Sequence, residues 1–174
     1  MSFCRCILIH FLFQESFLGS DIPFLSCTTG WQSCKIDGDY KHGEGQVEIS
    51  GVMYKKGIVA HAPGKATFWL DGLYDKLLTC IGISQLSSDL RCGVTTGDAR
   101  FRVLGDDKVL KEWAVKSSPE VSTCFEVDII NVKELILETD LNGSRDCDLS
   151  TWADAKVFKK GYFKFHATSA PIKL

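Results

Sequence analysis

The stretch "YKKGIVAHAPGKATFWLDG", residues Tyr54–Gly72, carries the pattern from which the fold of this chain is predicted. Its second half alternates, so that Ala66, Phe68 and Leu70 lie on one side. A period of two is typical of a half-buried β-strand. The glycines and the proline ahead of the strand indicate a turn, and His61 lies in that turn.

The same alternation recurs on both sides of this stretch. It is seen in "QVEISG" (46–51), "ARFRVLG" (99–105), "STCFEVDI" (122–129) and "KELILETD" (133–140). "DKVLKEWAV" (107–115) follows turn residues and predicts a hairpin with "ARFRVLG". "KLLTCIGI" (76–83) is almost continuously apolar, as in a strand covered on both faces. In "WADAKVF" (152–158), the alternation puts Ala153, Ala155 and Val157 on the face opposite Trp152.

These segments predict an all-β fold. No segment combines helical periodicity with capping residues, and turn residues separate roughly eight or nine short strands. We therefore expect an antiparallel β-sandwich or jelly roll, whose loops at the two ends are the usual places for binding residues.

Composition limits the class of partner. The 174 residues are 45% hydrophobic, which suits one domain with its own core. The net charge is −2, which argues against nucleic acid or an anionic membrane as the main partner. No run reaches the roughly 18 apolar residues that a membrane span needs.

Residues 1–20 differ from the rest. Arg5 precedes an apolar run from Cys6 to Phe13, which resembles a secretory signal peptide, although a buried N-terminal strand is the alternative. Six cysteines remain beyond this leader, and an even number fits a secreted or luminal protein with disulfides. Two pairings are suggested by proximity, Cys27 with Cys34 and Cys80 with Cys92; buried free thiols are the alternative.

Little in the sequence predicts catalysis. His61 is the best-placed histidine, but no signature of a nucleophile with its base surrounds it, so we expect no enzyme. In "KIDGDYKHGEG", Asp37 and Asp39 flank Gly38, an arrangement that suits either a Ca²⁺ ion or a plain Asp-Gly turn.

Two tryptophans border predicted loops. Trp31 in "TTGWQS" and Trp152 in "DLSTWADA" could each present an indole face to a neutral sugar, or could each cap the core. Trp69 and Trp113 lie within predicted strands, where packing is the expected role.

Together these segments resemble the NPCBM domain, the "novel putative carbohydrate-binding module". "YKKGIVAHAPGKATFWLDG" is similar to its central signature, and "FLS", "GW", "ARFRVLGDDKVL", "VDIINVKELILETD" and "DCDLSTWADAKV" are similar to its other motifs in the same order. The resemblance covers 24–158. It implies a galactose-binding-domain-like β-sandwich that is non-catalytic and lectin-like, and that binds glycans, with galactose-type glycans as the expected ligands.

The resemblance also implies roles for particular residues. His61, Asp148 and Trp152 are the expected sugar contacts, with Trp31 as a further aromatic candidate. A structural Ca²⁺ would be held between the early loop and the last strand. Its ligands would be Asp37, Asp39 and Asp154, completed by backbone carbonyls.

The sequence departs from the family pattern at several positions. Leu149 and Thr151 stand where the family usually has His and Asp, and Gly64 stands where Ser is common. These changes leave open an alternative function, an extracellular protein-interaction or structural domain that kept the fold and lost the sugar. Residues 159–174 lie beyond the resemblance and form either an edge strand or a tail.

Overall fold

The computed structural model describes residues 15–84, 97–116, 122–143 and 147–160, and in these ranges all regular structure is β-strand. The strands are β1 (Glu15–Phe17), β2 (Ser26–Thr28), β3 (Lys35–Ile36), β4 (Gly38–Asp39), β5 (Gly43–Glu44), β6 (Val47–Ile49), β7 (Val52–Tyr54), β8 (Gly57–His61), β9 (Gly64–Trp69), β10 (Tyr74–Ile83), β11 (Asp98–Gly105), β12 (Lys108–Lys116), β13 (Thr123–Asp128), β14 (Glu134–Leu141) and β15 (Leu149–Lys159).

Two antiparallel sheets form the sandwich. The six-stranded sheet has the order β13-β10-β15-β8-β3, with β1 also paired to β15, and the five-stranded sheet has the order β12-β11-β14-β9-β2. The hairpins β4–β5 and β6–β7 complete the described strands. The predicted all-β antiparallel sandwich is therefore confirmed, as is the predicted hairpin between β11 and β12. The described residues contain no helix with the length and apolarity of a membrane span.

The core lies between the two sheets. Ala66, Phe68 and Leu70 are all buried in it, so the alternation in the deciding stretch is confirmed. Phe101 from the middle of β11 reaches the same core, where its ring contacts the indole of Trp152 at 5.1 Å between centroids. Burial of large apolar side chains supplies the main driving force for the association of the sheets.

The β6–β7 hairpin covers the outer face of the six-stranded sheet. Ile49 packs with Cys80 and Ala153 there, and Val47 packs in a neighbouring cluster. A methyl group added at Gly82 would lie 2.1 Å from the Ile49 side chain, so the hairpin can approach β10 only where no side chain intervenes. This cover explains why "KLLTCIGI" is apolar on both faces.

A β-bulge at Asp154 changes the face on which Trp152 lies. Leu78 pairs with Lys156 but Cys80 pairs with Ala153, so β15 carries one extra residue at this point, and Asp154 has a positive φ of 47°. An extra residue moves the following side chains to the opposite face. Simple alternation predicted Trp152 opposite Ala155, and this is wrong, because both residues lie in the inter-sheet core.

The disulfides agree in part with the sequence predictions. Cys27–Cys34 is present, as predicted. Cys80 is bonded to Cys124 rather than to Cys92, because β10 and β13 place Cys80 and Cys124 directly opposite each other. Cys147 is also disulfide-bonded. Cys92 lies outside the described residues.

The sandwich begins earlier in the chain than the predicted domain 24–158, and its last strand ends one residue later, at Lys159. β1 pairs with β15 through Ser16 and Val157, and Leu18 is buried, so residues 15–20 of the predicted leader belong to the sandwich. Residues 1–14 and 161–174 lie outside the described residues. The predictions of a signal-like leader and of a C-terminal strand or tail therefore stay predictions.

We expect the Cys27–Cys34 and Cys80–Cys124 disulfides to contribute unequally to stability. Replacing Cys80 and Cys124 by Ala opens a loop with a sequence separation of 44, and replacing Cys27 and Cys34 opens one of 7. Loop-closure entropy then predicts losses of about 4 and about 2.5 kcal/mol in the free energy of unfolding. Urea denaturation measures both, and a larger loss from the shorter loop would contradict the entropic account.

Candidate functional site

One end of the sandwich is shaped by the turn that joins β8 to β9. β8 ends at His61, and the Ala62–Pro63 peptide bond is cis. The Ala62 N–H donates to the carbonyl of Asp148 at 2.9 Å, and His61 is the register partner of Leu149 in β15. The turn is thereby attached to the start of the last strand, and His61 sits at a fixed point on the rim.

The loop closed by Cys27–Cys34 lies against this turn. The Thr29 Oγ1 accepts a hydrogen bond from the His61 N–H at 2.8 Å and lies 3.0 Å from the Trp31 carbonyl, to which it donates. The Gly30 N–H donates to the His61 carbonyl at 2.9 Å. A Cβ at Gly30 would lie 2.7 Å from the Ala62 carbonyl oxygen, so only glycine permits this approach.

These contacts assemble an aromatic cluster at the rim. The Trp31 side chain is 45% exposed, although its ring lies 5.7 Å from that of Tyr40 and 6.2 Å from that of His61. The Lys35 ammonium lies over the Tyr40 ring, 5.4 Å from its centroid. We call Trp31, Lys35, Tyr40 and His61 the rim site. It combines an open indole face with nitrogen groups that can form hydrogen bonds.

The imidazole of His61 has a defined tautomer. Its Nδ1 lies 2.7 Å from the Ala62 carbonyl oxygen, which can only accept, so Nδ1 carries the proton. In the neutral ring, Nε2 is then an acceptor, able to receive a hydrogen bond from a hydroxyl group.

Tyr40 joins the rim site to the protein interior. Its hydroxyl donates to the Ser33 carbonyl, and burial raises the pKa of this phenol above its usual value. The Tyr40 ring packs against the buried cluster that contains Leu149 and Val59. Leu149 belongs to the cluster against which Tyr40 packs, so it helps to support the rim site.

The structure brings together two of the four predicted sugar contacts. Trp31 and His61 both belong to the rim site. The side chain of Asp148 is fully buried, and its Oδ1 accepts from the Asp98 N–H at 2.7 Å, so the residue holds neighbouring backbone in place. Trp152 is 3% exposed and packs against Phe101, so its indole has no face open to a ligand in this structure.

Sequence reasoning missed Lys35, Tyr40 and Thr29 as members of the site or its support. The sequence signal for Thr29 and Lys35 was the short spacing of Cys27 and Cys34, because Thr29 lies between the two cysteines and Lys35 follows the second; Tyr40 had no such signal. A loop closed by a disulfide has few conformations, and it can therefore hold an aromatic side chain at a fixed place.

Comparison with known proteins decides the family. A family model described as "NPCBM/NEW2 domain" matches residues 15–158, which is most of the chain. The chain belongs to the NPCBM/NEW2 family. This confirms the resemblance found in the sequence.

One curated relative matches most of the chain. This NPCBM/NEW2 domain is 27% identical over 161 residues to a curated Renibacterium salmoninarum protein named "Putative endo-alpha-N-acetylgalactosaminidase", covering 89% of this chain but only 10% of that protein. The chain therefore spans about a tenth of the curated relative that it matches.

Solved structures share the fold. A structure of CBM51-2, in complex with GlcNAc, and INT domains from Clostridium perfringens ZmpB aligns with a TM-score of 0.70 at 24% identity, covering 83% of this chain and 31% of that one. The CBM51 from Clostridium perfringens GH95, in complex with methyl-galactose, aligns with a TM-score of 0.67 at 23% identity, covering 82% and 99%. At these identities the likeness shows the β-sandwich fold alone.

The carboxylate of Asp39 does not offer this domain a free ligand for a cation. Its Oδ1 accepts from the N–H groups of Lys41 and His42, at 2.9 and 2.6 Å, and its Oδ2 accepts from the Glu48 N–H at 3.0 Å. The His42 Nδ1 lies 3.0 Å from Oδ2. Hydrogen atoms directed at both oxygens occupy the positions that a metal ion would take. Asp39 therefore does not fit the predicted role.

Asp37 and Asp154, the other two predicted ligands, are both attached to the start of β8. The Asp37 Oδ2 lies 2.7 Å from the Lys56 ammonium, and its Oδ1 accepts from the Gly57 N–H at 3.1 Å. The Asp154 N–H donates to the Lys56 carbonyl at 3.0 Å. Within the described ranges, no three His, Cys, Asp or Glu side chains form a group that could hold a metal ion. The residues present do not fit the predicted calcium site.

Asp39→Asn should destabilise the domain at neutral pH. An amide cannot accept from donors on both of its ends, so we expect a loss of roughly 1–3 kcal/mol in the free energy of unfolding. Burial acts to raise the pKa of Asp39, but hydrogen bonds from His42, Glu48 and Lys41 outweigh it and lower the pKa.

The sign of the pH dependence follows from this lowered pKa. The carboxylate stabilises the native state above the unfolded-state pKa of about 3.9, and the contribution disappears as pH falls through the lower native pKa. In urea denaturation, the gap between wild type and Asp39→Asn should narrow from pH 7 toward pH 3. A gap that is constant over this interval would contradict the role of the charge.

Removal of divalent cations provides a direct test of the calcium prediction. Because the Lys56 ammonium neutralises Asp37 and N–H groups surround Asp39, we expect the Tm to be the same in EDTA as in excess CaCl₂. An ion bound only by the native state would raise the Tm with its concentration. A calcium-dependent rise that Asp37→Asn removes would restore the predicted metal site.

Proposed function

We propose that this chain is a non-catalytic carbohydrate-binding module that holds a galactose-type glycan at the rim site. The observation that carries the proposal is the exposed indole of Trp31, fixed beside His61 and Tyr40 by a disulfide-closed loop. Membership of the NPCBM/NEW2 family supports it. Further support comes from the similar folds, whose structures were solved with methyl-galactose and GlcNAc.

The rim site suits a sugar for two physical reasons. The indole face offers an apolar surface for the C–H face of a pyranose ring, while the His61 Nε2 accepts from a hydroxyl and the Lys35 ammonium donates to another. The loop hydrogen bonds through Thr29 fix the indole before the ligand arrives. Little conformational entropy is then lost on binding.

The proposed role is recognition rather than hydrolysis. Glycoside hydrolysis commonly uses a pair of carboxyl groups on either side of the scissile bond. The four side chains of the rim site include no carboxylate. We accordingly propose that hydrolysis is not the role of this module; the long curated relative, of which the chain spans 10%, is consistent with this proposal.

Disulfides support an extracellular or luminal location. Cys27–Cys34 and Cys80–Cys124 persist in oxidising compartments, and glycans are abundant there. A calcium ion has no part in the proposed binding mechanism.

One observation favours a second candidate function, a protein-interaction domain. Leu149 and Thr151, where the family usually has His and Asp, are both buried, and the Thr151 Oγ1 lies 2.6 Å from the Ser84 Oγ. These two side chains contribute packing instead of sugar contacts. A module with fewer polar contacts could use the same aromatic rim for a protein.

Trp31→Ala tests the proposal directly. We expect wild type to bind selected members of a glycan array and to bind methyl-galactoside in calorimetry, and Trp31→Ala to weaken that affinity at least tenfold, or about 1.4 kcal/mol. Trp69→Ala is the matched control, because Trp69 is also exposed, at 51%, but lies in β9 away from the rim. Its affinity for methyl-galactoside in calorimetry should equal that of wild type.

The results of these binding experiments distinguish the candidate functions. Equal affinity of wild type and Trp31→Ala would contradict the rim site. An array on which no glycan binds, together with a protein captured by wild type and not by Trp31→Ala, would favour the interaction domain. Release of sugar from a glycoside by the isolated chain would contradict the non-catalytic role.

A further inference from the structure

Lys35 and His61 project from the same face of the six-stranded sheet. Lys35 in β3 is the register partner of Val59 in β8, and His61 follows Val59 by two residues. Val59 packs with Leu149 outside the inter-sheet core, whereas Ile58 lies inside it. Because side chains alternate between the two faces along a strand, Lys35, Val59 and His61 share the outer face. The polar groups of Lys35 and His61 therefore border one patch of surface.

The exposed indole lies within the same patch. The Trp31 ring is 6.2 Å from the His61 ring and 5.7 Å from the Tyr40 ring, between centroids. The Lys35 ammonium lies 5.4 Å from the Tyr40 centroid, so it is one aromatic ring away from the indole. A sugar that stacks on the indole can bring a substituent, or the next sugar of a chain, to this ammonium.

The positive charge of Lys35 has no carboxylate partner among the described residues. The acids near it in the chain are engaged elsewhere: Asp37 and Glu48 each lie 2.7 Å from the ammonium of another lysine. Asp39 accepts hydrogen bonds at both oxygens. Glu44, the remaining acid of this segment, forms no ion pair in the described ranges. The rim site thus carries an uncompensated positive charge, although the net charge of the whole chain is −2.

Tyr40 holds the Lys35 ammonium in place without neutralising it. A cation over an aromatic ring is attracted by the ring quadrupole, which carries no net charge. The Tyr40 hydroxyl donates to the Ser33 carbonyl, and β3 is paired to β8, so the ring and the lysine backbone are both fixed. An ammonium has three N–H groups, and those directed away from the ring remain available to a ligand.

From this arrangement we infer that the rim site selects glycans that carry an anionic group, a carboxylate or a sulfate ester, beside the sugar stacked on Trp31. The inference rests on the proposed function and specifies its class of ligand. A hydroxyl receives an ordinary hydrogen bond from Lys35, whereas an anion receives one that is strengthened by charge on both partners. The His61 Nε2, an acceptor in the neutral ring, takes a sugar hydroxyl instead.

The chemistry of lysine explains why both anionic groups belong to the class. An ammonium is a compact point charge, without the planar fork with which arginine matches the two oxygens of a carboxylate. Lys35 therefore recognises the negative charge rather than the shape of the group that carries it. Trp31 and His61 read the sugar, and Lys35 reads the substituent.

Calorimetry with matched galactosides tests the selection. Methyl-galactoside, its monosulfate esters and methyl galacturonide share one ring, and the esters and the uronide distinguish the two sources of charge. In low salt we expect the best anionic ligand to bind wild type roughly fivefold tighter than methyl-galactoside, as one charge pair in a high dielectric provides. Raising NaCl from about 20 mM to about 500 mM should remove most of this gain and leave the affinity for methyl-galactoside constant, because salt screens charge.

Three variants assign the preference to Lys35. Lys35→Gln should abolish the preference for the anionic ligand over the neutral one, and Lys35→Arg should retain it, because the charge remains. Lys55→Gln is the matched control, since Lys55 is exposed and precedes β8, at the opposite end of that strand from His61. It removes the same charge from the chain and should keep the wild-type preference. Circular dichroism and Tm confirm that each variant is folded.

The binding results distinguish this inference from the proposed function. A wild type that binds methyl-galactoside as tightly as every anionic ligand would overturn the inference and leave the proposed function intact. A preference that persists in folded Lys35→Gln or in Trp31→Ala would also overturn it, because the anion would then bind elsewhere. If wild type binds none of these ligands, the proposed galactose-type site is contradicted together with the inference.

Discussion

The pairing of β15 is the constraint on which the rest of the structure depends. This strand lies beside β10 on one edge and beside β1 and β8 on the other, so it joins most of the six-stranded sheet. Both of its faces are buried, one by the five-stranded sheet and the other by the β6–β7 hairpin. If β15 lost this pairing, β10 would no longer be joined to β8, and both the core and the rim site would be disrupted.

The bulge at Asp154 allows β15 both to hold the end of β8 and to fill the inter-sheet core. Before the bulge, Leu149 pairs with His61 and fixes the end of β8, while Trp152 fills the core against Phe101. After the bulge, Ala155 and Val157 return to the same core. A regular strand would place Trp152 and Val157 on opposite faces, and the indole would then lie under the hairpin, where Ile49 and Cys80 already pack.

A feature could be predicted from the sequence when residues close together in the chain determine it. The strands, their alternation and the β11–β12 hairpin were predicted, because period and turn chemistry are written in neighbouring residues. The Cys27–Cys34 bond was also suggested, since the two residues are close in the chain. The Cys80–Cys124 bond was not, because strand pairing between distant segments decides it, and a bulge of one residue leaves no clear mark in composition.

The candidate site was predictable to a smaller extent, for the same reason. His61 was found from its turn and Trp31 from its loop, but nothing local connects either residue with Tyr40 or Lys35. Family likeness transferred roles to Asp148 and Trp152 by position in a motif. The structure shows that positions within that motif can face the core in this chain, where Asp148 is 0% and Trp152 is 3% exposed.

The exposure of Trp31 bears on how a module of this size functions. An indole left in water forfeits the favourable burial that a core position would provide, so a rigid site that holds one open has a binding role as the simplest explanation. A shallow rim with one aromatic face and two nitrogen groups can supply only a few favourable contacts to a single sugar. Under the proposed function, affinity for a glycan-covered surface then comes from the number of modules that engage it together.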